Sequence, residues 1–127
     1  MEFLHTDNAP AAIGPYSQAV KVNGLIYSSG QIALNANGEM CENDIKKQTR
    51  QVFANIKAIL EDNESNIENI IKLNIYLTDM NEFGVVNVLM AEFFGDHKPV
   101  RSTIEVSGLP KNAMIEMDFI ATVADYH

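Results

Sequence analysis

Residues 99–121 read PVRSTIEVSGLPKNAMIEMDFIA. The first part alternates, with Val100, Ser102, Ile104 and Val106 on one row and Arg101, Thr103 and Glu105 on the other, which predicts a strand over 99–106. A loop follows at 107–112, and a second strand is expected over about 113–124. Two strands joined by a short loop predict an antiparallel hairpin. Pairing about Leu109 and Pro110 sets Thr103 opposite Glu116 and Arg101 opposite Asp118, with Glu116 the diagonal neighbour of Arg101. A one-residue slip moves Glu116 to the other face. A permanent cation among carboxylates on one sheet face has two readings. It belongs either to a solvated lattice of cross-strand pairs that contributes little, or to a polar site in a cleft closed by another subunit.

Working outward, the chain gives further elements. SQAVKVN (17–23) is a strand, Asn23-Gly24 a hairpin turn, and LIYSSGQIAL (25–34) a second strand bent near Gly30. From Asn43 to Asp62 the apolar Ile45, Val52, Phe53, Ile56, Ile59 and Leu60 recur at helical spacing. IIKLNIYLT (70–78) alternates, with Ile71, Leu73, Ile75 and Leu77 pointing one way and Lys72, Asn74 and Tyr76 the other. Asp79 and Glu82 form a capping-box pattern ahead of Phe83, Val86, Met90, Phe93 and Phe94, a second helix ending at Gly95. The order β-β-α-β-α-β-β predicts an α+β fold: a single mixed sheet with two helices on one face. Helices on one side leave the other face of the sheet to find its own cover, which is a reason to oligomerise.

The chain of 127 residues fits one domain spanning 1–127. Nine Lys and Arg against 17 Asp and Glu give a net charge of −8, which argues against nucleic acid as a partner. No apolar run reaches membrane-spanning length and the first residues lack a leader pattern, so no membrane role is expected. The single cysteine, Cys41, suits a reducing, cytoplasmic setting and has no local cation to activate it. His5, His97 and His127 are too scattered for a metal site and read as surface residues. Neither a phosphate loop nor a nucleophile elbow is present.

The stretches GPYSQA (14–19), SSGQIAL (28–34), QTRQVFANIKAIL (48–60), LTDMNEFGVVN (77–87) and PVRSTIEVSGLPKNAMIEMDFIA (99–121), in that order, resemble the RidA/YjgF family of reactive imine deaminases. The resemblance spans almost the whole chain. It implies a chorismate mutase-like fold and a homotrimer whose sheets form a central barrel-like core, with active sites in clefts between subunits. It implies hydrolysis of 2-imino acids, or their 2-aminoacrylate-type enamine tautomers released by pyridoxal phosphate dehydratases, to 2-keto acids and ammonia. No metal or organic cofactor is implied, and the role is metabolite damage control. Carried over by position, the carboxylate-binding arginine is Arg101 and the water-activating glutamate is Glu116. Tyr16, Ser29, Gly30, Asn87 and Thr103 match the remaining substrate-binding positions.

Those residue types suit the chemistry. A guanidinium holds a planar carboxylate through two parallel hydrogen bonds and fixes the imine carbon in space. A carboxylate in a cleft can take a proton from water and return one to the departing nitrogen. On this reading an empty site leaves Glu116 beside a cation and ionised. Three departures from the family pattern bear on specificity: PVRST in place of PAR followed by Ser-Cys or Ser-Ser, a shorter span between Phe94 and Pro99, and Asp118 where a glutamate is often found. Thr103 removes any thiol chemistry at its position. Two other functions remain open at this level. One is a non-catalytic module that binds a keto acid or other small carboxylate. The other is the endoribonuclease or translation inhibitor described for some relatives, which needs a basic, aromatic-lined groove that an acidic chain supplies poorly. Glu116 favours catalysis, since a carboxylate binder gains nothing from a nearby anion.

Overall fold

Two amphipathic helices need an apolar surface to lie on, and the strands supply one. The computed structural model describes residues 1–125; His127 lies outside them. In chain order the elements are β1 (Glu2–Leu4), β2 (Ala19–Val22), β3 (Leu25–Ser28), α1 (Ile45–Glu61), β4 (Ile70–Leu77), α2 (Phe83–Phe94), β5 (Val100–Glu105) and β6 (Ile115–Thr122). The six strands make one mixed sheet in the order β1-β2-β3-β6-β4-β5. One face of the sheet gives Ile26, Leu73, Ile75, Leu77, Ile115, Met117 and Phe119 to a core shared with Val52, Ile56, Ile59 and Leu60 of α1 and Val86, Leu89 and Phe94 of α2. Phe53 and Phe93 stack between the helices at 4.3 Å. No helix among the described residues is long and apolar enough to cross a membrane.

Local signals behave as expected. The side chain of Asp44 accepts from the backbone N–H groups of Lys46 and Lys47 and starts α1. Asp79 accepts from the N–H of Asn81 ahead of α2, and Gly95, at φ 60°, ends that helix. The second strand is shorter than its apolar run, because residues after Ser28 leave the ladder and return only through a Gln31–Met117 bridge. Three-residue β1 is too short to carry a pattern. In β4 an irregularity between Ile70 and Lys72 buries Ile70 and leaves Ile71 44% exposed, so the inward row begins one residue earlier than alternation predicts.

The predicted β5–β6 hairpin does not form. β4 lies between the two strands, parallel to β5 and antiparallel to β6. The segment β4–α2–β5 is a crossover unit, in which the helix carries the chain back so that β5 starts at the same end as β4. Residues 106–114 then step over β4, a span of about 10 Å. This pairing decides which faces the polar residues occupy. Arg101 pairs with Leu73 and Thr103 with Ile75, both buried under the helices. Glu116 pairs with Tyr76 and Asp118 with Asn74, on the opposite, open face. Arg101 and Glu116 therefore point to opposite sides of the sheet.

Candidate active site

The expected site residues gather in two places. At the first, Glu116 lies on the wall of a cavity of about 300 Å³ that Tyr16, Gly30, Gln31 and Lys111 also line. Ile13, Ile32 and Leu34 make its walls largely apolar. Glu116 passes so close to residue 30 that a Cβ there would stand 2.5 Å from Oε2, so glycine lets the carboxylate keep this position and any side chain would push it aside. Burial raises the proton affinity of Glu116 above that of an ordinary glutamate, and the negative charge of Asp118 adds to the effect. The expectation that a neighbouring cation holds this carboxyl ionised is thus reversed within one chain, because Arg101 is on the other face.

Buried polar side chains, which residue patterning did not single out, shape the cavity. Asn55 of α1 donates to the carbonyl oxygens of Leu34 at 2.9 Å and Ile32 at 3.3 Å, pinning one wall. Gln18 donates to the carbonyl oxygen of Pro10 at 2.8 Å and accepts from the N–H of Thr6 at 2.7 Å, holding the leading segment across the opening. Gln31 exchanges backbone hydrogen bonds of 2.7 and 3.0 Å with Met117, which sets Gly30 against Glu116. The side-chain amides of Asn55 and Gln18 are paired in places where an unpaired one would be costly. Their signal in sequence is only that of a polar residue interrupting an apolar face.

At the second place, α2 presents Phe83, Asn87 and Met90 on one helical face to the edge strand β5. Arg101 donates from Nη1 to Asn87 Oδ1 at 2.6 Å and lies 3.5 Å from Met90 Sδ. Its guanidinium carbon sits 5.0 Å from the centre of the Phe83 ring, a cation–π contact. Arg101 is nonetheless exposed, beside a depression also lined by His97, Lys98 and Pro99. The guanidinium is oriented by three neighbours and paired with no carboxylate among the described ion pairs. Thr103 shares this face, and its hydroxyl is buried without a hydrogen-bond partner.

Of the seven expected residues, Tyr16, Gly30 and Glu116 come together around the first cavity, and Arg101, Asn87 and Thr103 lie on the other side of the sheet. Ser29 joins neither group. Its hydroxyl donates to the carbonyl oxygen of Ser17 at 2.5 Å, beside a separate depression that Tyr16 and Tyr27 also line.

Comparison with known proteins gives concordant results. The Endoribonuclease L-PSP family model matches residues 6–123. The chain is 40% identical over 121 residues to a protein of Dermatophagoides farinae named 2-iminobutanoate/2-iminopropanoate deaminase, covering 94% of each. Other relatives carry the name RutC family protein. Among solved structures, the Rid family protein YyfA of Yersinia pestis superposes with a TM-score of 0.94 at 48% identity, over 96% of this chain and 98% of that one. Escherichia coli TdcF, solved with bound serine, gives a TM-score of 0.92 at 34% identity, over 98% and 100%.

Proposed function

Since the chain belongs to the RidA/YjgF family, whose chorismate mutase-like α+β fold it shares, we propose that it hydrolyses reactive 2-imino acids to 2-keto acids and ammonia, in a site closed between two copies of its single domain. The observation that carries this reading is the condition of Glu116: a half-buried carboxyl with raised proton affinity, fitted against Gly30 in an apolar cavity. Proton exchange with water needs such a group, and a simple carboxylate binder has no use for it. The other requirement, a planar clamp for the substrate carboxylate, is met by Arg101, which α2 orients and leaves exposed at the sheet edge.

One chain holds the base and the clamp on opposite faces, so a second copy must bring its Arg101 to the first copy's Glu116. The open face favours such an assembly. Phe3 and Tyr27 on one side and Val100 and Ile104 on the other are exposed there, at 70%, 40%, 62% and 50%. Repeating one such contact around an axis closes a ring, and a homotrimer is the ring we propose. The bound serine in TdcF shows that a relative takes a small amino acid, and a 2-imino acid likewise has a carboxylate next to a nitrogen-bearing carbon, trigonal where that of serine is tetrahedral.

The substrate carboxylate is held by Arg101. A water oxygen forms a bond to C2 as the C=N π pair moves to nitrogen, and Glu116 takes the proton the water loses. That proton returns to nitrogen in the resulting carbinolamine. Glu116 then carries the hydroxyl proton to the nitrogen as C=O forms and the C–N bond breaks, releasing ammonia. The test is a threonine or serine dehydratase run with semicarbazide, which traps free imine. Adding the wild-type protein is expected to restore keto-acid formation, and adding Arg101→Ala is not. If wild type fails to compete with the trap, the activity is absent.

A further inference from the structure

The open face carries a second carboxylate that the mechanism above does not use. Asp118 lies two residues beyond Glu116 on β6, so the two share a face with backbones about 7 Å apart. Asp118 Oδ1 accepts from Asn74 Nδ2 at 2.7 Å, and Oδ2 accepts from the Tyr76 hydroxyl at 3.0 Å. Each oxygen receives a hydrogen bond, so the group is held at both ends. Tyr76 is itself the residue paired with Glu116 across the ladder. Its ring therefore stands beside one carboxylate while its hydroxyl holds the other.

We propose that Asp118 is a positioning residue for Glu116: a clamped carboxylate that fixes negative charge on the reacting face and so lets Glu116 hand back to nitrogen the proton it takes from water. The inference rests on the deaminase reading for its role, and on geometry for the coupling itself. The charge of Asp118 is not cancelled within its surroundings. β4 turns Lys72, Asn74 and Tyr76 to this face, β3 turns Tyr27, and β5 turns only Val100, Ser102 and Ile104. Tyr16 and Lys111 reach the Glu116 cavity from the loops. Among the described residues neither lysine lies within 4.0 Å of either carboxylate. The carboxylate of Asp118 accordingly acts on Glu116 in the same direction as burial does. Without it, Glu116 would be a weaker base toward water, and the proton it later returns to nitrogen would be taken less readily.

The experiment is a carboxyl-carbon NMR titration of glutamate-labelled protein, wild type and Asp118→Asn, with Glu116→Gln identifying the signal. The asparagine keeps the shape and can still bond Asn74 and Tyr76; Asp118→Ser, smaller and also uncharged, serves if it does not fold. The Glu116 midpoint is expected to move to lower pH in the uncharged variants and to stay raised in Asp118→Glu. The Glu116-dependent limb of the pH–rate profile is expected to move with it, with kcat lowered several-fold and KM little changed. An unmoved midpoint in a folded, uncharged variant overturns the proposal, whatever the activity. A moved midpoint with an unmoved rate profile overturns the role in proton return. Wild-type protein that shows the coupling but hydrolyses no imine refutes the deaminase reading instead, so the two failures are distinct.

Discussion

Two variants that are each inactive should repair one another. Arg101→Ala removes the proposed carboxylate clamp on the helix side of the sheet, and Glu116→Gln removes the proposed proton carrier on the open side. Neither change touches the core: Arg101 is exposed, and glutamine fits the space over Gly30 that Glu116 occupies. Losing a bidentate charged pair costs about 3 kcal/mol, roughly a hundredfold in kcat/KM, and losing the acid–base group costs a factor of about 10² to 10⁴. Each parent protein therefore retains on the order of a percent of activity or less. In a random equimolar mixture of subunits, a site built from two copies receives an intact arginine half the time and an intact glutamate half the time. About one site in four is then complete, well above either parent. The two variants are to be co-refolded with different affinity tags, purified through both, checked by native mass spectrometry and assayed against semicarbazide. Mixed assemblies with no more activity than their parents would mean that a single copy supplies both groups, and the two-copy site would be wrong.

Three further outcomes follow from individual residues. Gly30→Ala places a methyl group 2.5 Å from Glu116 Oε2; the carboxyl end has room to swing away, so the melting temperature should change little while imine hydrolysis in the semicarbazide assay falls by tenfold or more (about 1.4 kcal/mol). Asn55→Ala leaves the carbonyl oxygen of Leu34 unpaired beneath the cavity wall, while that of Ile32 keeps its bond from the Leu34 N–H, and should cost about 1–3 kcal/mol in urea unfolding. Because burial raises the proton affinity of Glu116 in the folded chain, the native state binds more protons than the unfolded one between the ordinary glutamate pKa and the raised one, and stability falls as pH climbs through that window. Glu116→Gln should therefore melt above wild type at neutral pH, with the advantage fading below about pH 4; a constant advantage at every pH would contradict the raised affinity.

The helices and the buried strands were legible because their signals are local. The stripe Ile45, Val52, Phe53, Ile56, Ile59 and Leu60 gives α1, and Asp79 and Gly95 bracket α2 and its leading turn. Pairing is not local, and there the reading failed. The brevity of 107–112 suggested that β5 and β6 meet, but a loop of that length can also cross one strand. The competing signal was present: a strand, a helix and a strand in succession, 70–77, 83–94 and 100–105, is the pattern of a parallel crossover. The polar amides of Gln18 and Asn55 were invisible for a different reason. Their value lies in carbonyl groups brought near by the tertiary fold, and nothing beside them in the chain announces those partners.

The mistaken hairpin and the two-copy site are connected. Had β5 paired with β6, Arg101 would have lain diagonal to Glu116 on one face, and a single chain could have held clamp and base together. An oppositely charged pair left so close in an empty site would neutralise itself, lowering the proton affinity of the glutamate and occupying the guanidinium. Within a single chain the crossover avoids both effects. It sends β5 to the sheet edge, where α2 steadies Arg101 through Phe83, Asn87 and Met90 without taking its charge. It leaves Glu116 among apolar walls with Asp118 as its charged neighbour on the strand. In the proposed assembly each half of the site thus arrives on its own chain already oriented, and the two meet only where copies join.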